Sequence, residues 1–274
     1  MAVSMADITK LRKMTGAGMM DCKNALTDAE GDFDKAMKII REKGQAVAAK
    51  RSDREASEGC VLAKAENGFA AMIALKCETD FVAQNADFVK LTHDILDAAV
   101  ANKCKTMDEV KALMLGDITV AQAVTDRSGV TGEKMELDGY ATLEGENISI
   151  YNHQNKNFLC TMVALNKVVD AQVGHEIAMQ IAAMSPIAIN ENDVPADVLA
   201  KEKEIAADKA RQEGKPENMI ERIAMGRIGK FFKEVCLLKQ EYVQDGKMTV
   251  EEFLHSVDKD LTVTGFKRFT LRAE

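Results

Sequence analysis

The sequence predicts an α+β protein: a small N-terminal module of three helices, a core made of a duplicated hairpin-plus-helix unit, and an inserted antiparallel helical arm. Three observations predict it. Apolar residues recur at helical spacing from Ile8 to Ile40. Asn67-Gly68 separates two apolar runs, the strongest short hairpin signal a sequence carries. Met162-Val163-Ala164-Leu165 then repeats Met72-Ile73-Ala74-Leu75 at a fixed offset. Four regions follow: the helical module at 1–54, the first core half at 55–140, the second half at 141–193 with 231–274, and the arm at 194–230.

Ile8, Leu11 and Met14 form the apolar face of the first helix, which Thr15-Gly16-Ala17-Gly18 breaks. Met19, Cys22 and Leu26 continue at helical spacing, and Gly31-Asp32 stops that helix and caps a third with Phe33, Ala36, Met37 and Ile40 inside. Gly44 reads as its end, with residues 45–57 a polar, Ala-rich connector. Such a module resembles a ubiquitin-associated-type fold. Met20 falls off the stripe of Met19, Cys22 and Leu26, so it should be exposed, either as a contact point or as an idle surface side chain.

Residues 60–65 and 69–77 read as the first hairpin, and Phe88, Leu91, Ile95, Leu96 and Ala99 as a helix behind it. Helical stretches follow near 106–115 and 118–128. Residues 147–152 and 158–165 form the second hairpin, with a turn at 153–157, and Ile177, Ala178, Ile181 and Ala182 face its helix. Two such units make a duplicated core. Val194, Val198, Leu199 and Ile205, then Met219, Ile220, Ile223 and Ile228 beyond Gly214-Lys215-Pro216, mark two helices with charged outer faces. They read as a projecting antiparallel coiled arm or as a plain surface pair. A helix near 250–257 and a strand near 263–271 should rejoin the second sheet.

Composition excludes several function classes. Lys and Arg total 36 against 44 Asp and Glu, a net charge of −8, and no basic stripe offsets it. Direct nucleic-acid binding is therefore not expected. Apolar runs are far too short to cross a membrane, no leader-like segment opens the chain, and six scattered cysteines without a C-x-x-C pair suit a reducing cytoplasm. No phosphate-binding glycine motif is present, and no acid–base, nucleophile or metal constellation stands out. The chain reads as a non-enzyme without cofactor or metal. His93 and His175 lie on apolar-patterned helices and read as structural, whereas His153 falls in a turn and should be exposed.

The most informative stretch is Thr79-Asp80-Phe81-Val82, where an apolar strand stops at a carboxylate followed by an aromatic. Gln84 and Asn85 announce a turn, so Phe81 should sit at a bend rather than inside a regular element. It is either the last core residue under a loop or an exposed wedge for a partner. The offset of the repeat puts Asp170 opposite Asp80 and Ala171 opposite Phe81, so the scaffold tolerates alanine there. That favours the wedge.

Thr15-Gly16-Ala17-Gly18-Met19-Met20-Asp21-Cys22-Lys23, with Ala25-Leu26, resembles the N-terminal signature of the bacterial translation elongation factor Ts family. Thr79-Asp80-Phe81-Val82-Ala83 resembles its second signature, and Tyr151, His153, Ile177-Ala178-Met179, Gly214-Lys215-Pro216 and Thr264-Gly265-Phe266 follow in family order. The resemblance implies a guanine nucleotide exchange factor that binds elongation factor Tu, GDP-bound or nucleotide-free. Met19 and Met20 would dock on the GTPase domain, Thr79, Asp80, Phe81 and Val82 would enter near its Mg²⁺, and His153 would touch it from the other core half. A homodimer through the core or arm stays open, as does a non-catalytic coiled-arm adaptor. Thr131-Gly132-Glu133 departs from the family pattern in lacking an apolar residue, and the chain ends soon after Phe269 without the extra C-terminal helix of some relatives.

Overall fold

The computed structural model describes residues 3–153 and 157–272. Helices α1 (Met5–Thr15), α2 (Met19–Asp28) and α3 (Phe33–Lys50) enclose a small core of Ile8, Leu11, Cys22, Ala25, Leu26 and Ala36. Ser4 caps α1 in a capping box with Asp7, and Asp32 caps α3, each supplying an acceptor to otherwise unpaired N–H groups. The third helix does not stop at Gly44. It continues to Lys50, and Gly44 lies buried inside it because another helix crosses there.

The first core half contains β1 (Glu58–Glu66), β2 (Phe69–Cys77), α4 (Asp80–Ala83), α5 (Ala86–Ala101), α6 (Met107–Ala112), the short pair β3 (Met114–Leu115) and β4 (Ile118–Thr119), α7 (Val120–Thr131) and β5 (Glu136–Glu144). The second holds β6 (Asn147–Asn152), β7 (Leu159–Leu165) and α8 (Ala171–Met184). Helices α9 (Ala196–Gln212) and α10 (Glu217–Val235) make the arm; a short β8 (Glu241–Tyr242) and β9 (Asp245–Thr249), then α11 (Val250–Val257) and β10 (Val263–Thr270), close the chain. Strand β5 is unforeseen in the sequence, and it carries the first sheet to Glu144, past the expected division at 140. Helix α10 likewise runs to Val235, five residues beyond the expected end of the arm.

The duplication is visible in the strand orders, β1-β2-β5 and β10-β7-β6, all antiparallel with the second hairpin strand central in each sheet. Side chains on a strand alternate between faces. Phe69, Ala71, Ile73 and Leu75 therefore pack under Phe88, Ile95, Leu96 and Ala99 of α5, while Ala70, Met72 and Ala74 meet Cys160 and Met162 of the other sheet. Val163 and Leu165 pack in turn against Ile177 and Ile181 of α8. The result is four layers, helix–sheet–sheet–helix. Both central strands are buried on both faces, which is why β2 and β7 read as near-continuous apolar runs.

Asn152 joins the halves: its side-chain oxygen accepts the Ala63 N–H at 2.9 Å and its amide donates to the Ala63 carbonyl at 3.0 Å. It thereby satisfies part of the open edge of β1. The repeat differs at one place. Asp170 caps α8 directly, whereas eight residues, 78–85, separate β2 from α5 and carry α4. Ala171 thus begins α8 and is no counterpart of Phe81.

Candidate functional site

The tip that carries Phe81 is a single helical turn, not an irregular bend. Thr79 caps it with an extended backbone, its hydroxyl accepting the Val82 N–H at 3.4 Å. A turn this short presents residues on opposite sides: Val82 and Ala83 pack on the first core, while Asp80 and Phe81 face solvent. Phe81 is 84% exposed, the most exposed of the large apolar side chains among the described residues. Burial of an aromatic ring is worth about 1.5–3 kcal/mol. A ring displayed in this way leaves that stabilisation unrealised in the isolated chain, and the alternative of a core residue falls.

Two flanking segments hold the tip. On one side the Glu133 carboxylate accepts the N–H groups of Glu78 and Thr79, both at 3.1 Å, and the Thr79 hydroxyl at 2.6 Å. Glu78 answers across the gap by accepting the Lys134 N–H at 2.6 Å, and Arg51 and Arg54 pair with it at 3.1 and 3.3 Å. The hydrogen bond from Lys134 and the two guanidinium groups hold Glu78 below the usual carboxylate range. On the other side Arg127 donates to Asn85, the cap of α5, at 2.7 Å. Cys77 closes the neck by donating to the Thr79 carbonyl at 3.2 Å. The sequence marked Thr131-Gly132-Glu133 only as a departure from the family pattern, and no local signal gives the Glu133 carboxylate this role, since its partners lie more than fifty residues away.

Met19 and Met20 open α2 behind Gly18. Met20 is exposed as expected, and Met19 is half-buried against the module core. His153 differs from expectation. Its turn is only partly described, residues 154–156 lying outside the described residues, and the side chain is half-buried. The Tyr151 hydroxyl lies 2.9 Å from its Nδ1, and the Phe158 ring packs edge-on at 5.1 Å. Aromatic neighbours on both sides of a short turn draw the imidazole inward. His93, expected to be structural, is exposed, and His175 sits half-buried against Tyr151.

The rest of the chain offers little covalent chemistry. All six cysteines are buried and free, and burial pushes the thiols of Cys60 and Cys236 up to about 11 and that of Cys77 to about 12. These three thiols are protonated at neutral pH and poor nucleophiles. Among the described residues no group of three or more His, Cys, Asp or Glu is placed to hold a metal, and no helix is long and apolar enough to cross a membrane.

The family model described as elongation factor TS matches residues 78–273, which include the tip, the second sheet and the arm, and of the first sheet only β5. The chain belongs to the elongation factor Ts family. It is 60% identical to the elongation factor Ts of Bacteroides fragilis over 330 aligned residues and 55% identical to that of Porphyromonas gingivalis over 275, with both chains fully covered in each case. The elongation factor Ts of Bacteroides thetaiotaomicron is 57% identical, again over the full length of both chains. Family membership places the protein in translation elongation, in nucleotide exchange, and the family's partner is the GTPase elongation factor Tu.

Proposed function

We propose that this chain binds elongation factor Tu, both GDP-bound and nucleotide-free, and promotes GDP release by displacing Mg²⁺. The observation that carries the reading is Phe81, an 84% exposed ring on a tip anchored from two sides, with Asp80 beside it. Mg²⁺ demands near-ideal octahedral oxygen coordination and bridges phosphate oxygens to the GTPase. A ring inserted between the side chains around it, with a second negative charge alongside, disturbs that coordination and uncovers the repulsion of the phosphates. Nucleotide affinity falls with no covalent bond made or broken.

Linkage fixes the thermodynamics. Whatever factor the chain takes from GDP affinity, GDP takes from the affinity for the chain, so the nucleotide-free partner is held most tightly. Met19 and Met20 supply a second contact, through an adaptable apolar side chain at a helix start. His153 contributes through the exposed part of its ring at the far hairpin. The acidic balance of the chain suits a protein partner rather than tRNA.

Stopped-flow release of fluorescent GDP from elongation factor Tu, with and without the chain, tests the reading. Phe81→Ala is expected to slow the accelerated phase by more than about tenfold, because the stabilisation of one buried ring is lost. Its melting temperature should not move, since an exposed side chain contributes little to folding. No acceleration by the wild-type chain, or a melting collapse in the variant, would end the proposal.

A further inference from the structure

Helix α4 has four residues, too few to hold itself, because the first turn of a helix fixes several dihedrals for a single hydrogen bond. Its shape must come from outside, and the structure gives the source. The Thr79 hydroxyl accepts from the Val82 N–H at 3.4 Å and donates to Glu133 Oε1 at 2.6 Å. A hydroxyl rotates to suit its partners. The short bond to a carboxylate fixes that rotor, so a lone pair is presented to α4. Glu133 Oε2 meanwhile takes the N–H groups of Glu78 and Thr79, the last two backbone donors before the turn. Three of the hydrogen bonds that shape the neck therefore end on one side chain, and bonds to an ionised acceptor are the strong ones.

Glu133 is itself held. Lys134, its neighbour, is tied through its N–H to Glu78, whose carboxylate is flanked by Arg51 and Arg54. The two guanidinium groups offset the repulsion between two carboxylates that each grip the other's segment. Glu133 is half-buried, and its carboxylate is engaged by the backbone and hydroxyl of the neck.

We infer that Glu133 is a positioning residue for nucleotide exchange, acting through Thr79 on the direction in which Phe81 leaves the surface. The inference rests on the wedge reading of Phe81 and deepens it. A ring on a loose loop must be ordered at the moment of binding, at a cost to affinity and rate. A ring on a turn ordered during folding is ready beforehand.

The test is a double-mutant cycle of Glu133→Ala and Phe81→Ala, read as the maximal rate of fluorescent GDP release at saturating chain and as binding affinity. Glu133→Ala is expected to lower the maximal rate about tenfold, with a smaller loss of affinity, and the double variant should be no slower than Phe81→Ala alone. Glu133→Gln keeps an oxygen for the two N–H groups but presents an NH2 where the Thr79 hydroxyl donates, so it should restore only part of the rate. A purely structural role would lower the melting temperature yet leave the two effects multiplying, and multiplying effects overturn the inference. Should Glu133→Ala fail to fold, Thr79→Val removes the held hydroxyl, and the same non-additivity is expected of it. A slow Phe81→Ala beside an unaffected Glu133→Ala sinks this inference alone. An unaffected Phe81→Ala sinks the wedge with it.

Discussion

Replacing Gly129 by alanine should loosen the joint between the helical module and the core, whereas the same change at Gly44 should not. A Cβ on Gly129 would lie 2.1 Å from the Gly44 Cα and 3.0 Å from its carbonyl carbon, while a Cβ on Gly44 meets nothing nearer than 3.4 Å. Carbon atoms in contact sit about 3.5–4.0 Å apart, so α3 and α7 must separate by roughly 1.5 Å or more to admit Gly129→Ala. Overpacking of this kind costs about 1–3 kcal/mol. Part of it is offset, because alanine is preferred over glycine in a helix by up to about 1 kcal/mol. Melting should fall by up to about 8 °C for Gly129→Ala at 2–4 °C per kcal/mol, while Gly44→Ala should be neutral or slightly stabilising. Differential scanning calorimetry of the two variants decides it. A Gly129→Ala chain that melts no lower than Gly44→Ala would show that this crossing is not close-packed and would refute the reasoning.

Two further changes probe the anchors. Glu78 has a lowered pKa when folded, so its stabilisation is complete above the ordinary value of 4.5 and is lost as pH falls through the folded value. The melting difference between wild type and Glu78→Gln should therefore be constant at neutral pH and shrink on acidification below 4.5; a difference indifferent to pH would contradict the ion pairing. His153→Ala removes the partner of the Tyr151 hydroxyl and an aromatic neighbour of Phe158, and it should cost roughly 1–2 kcal/mol of stability besides weakening association. Thermal melts and titration against elongation factor Tu measure the two effects, and unchanged melting would contradict the packed position of the ring.

Much of the fold is written locally. Helical spacing marks α1 and α2, Asn67-Gly68 takes φ values of +50° and +75° at the hairpin turn, and the apolar runs of β2 and β7 announce strands buried on both faces. What was not legible depends on contacts distant in sequence. Gly44 looks like a helix stop because glycine ends helices, yet here it admits the backbone of Gly129 eighty-five residues later. Strand β5, Glu-Leu-Asp-Gly-Tyr-Ala-Thr-Leu-Glu, has weak alternation, and it is a strand because β2 offers it an edge. The candidate site divides in the same way. The display of Met20 followed from its period, whereas position left Phe81 open between core and wedge and the repeat offset that favoured the wedge is not kept by the fold; Glu133 and the inward turn of His153 came from neighbours that no local pattern names.

Helix α3 spans eighteen residues without a break, starting beside the module core and ending where Arg51 meets Glu78 at the root of the tip. It behaves as a strut. Asp21, next to Met20, pairs with Lys43 in the C-terminal half of this helix, so the exposed methionine and the tip are both referred to the same stretch of α3 rather than strung like beads on a flexible linker. Under the proposed function, once one of the two side chains is seated on the partner the other searches a small volume, and its local concentration is set by the stiffness of the strut. Under the same proposal, a GTPase whose shape changes as its nucleotide leaves would feel the stiffness of this joint as a force on its own equilibrium.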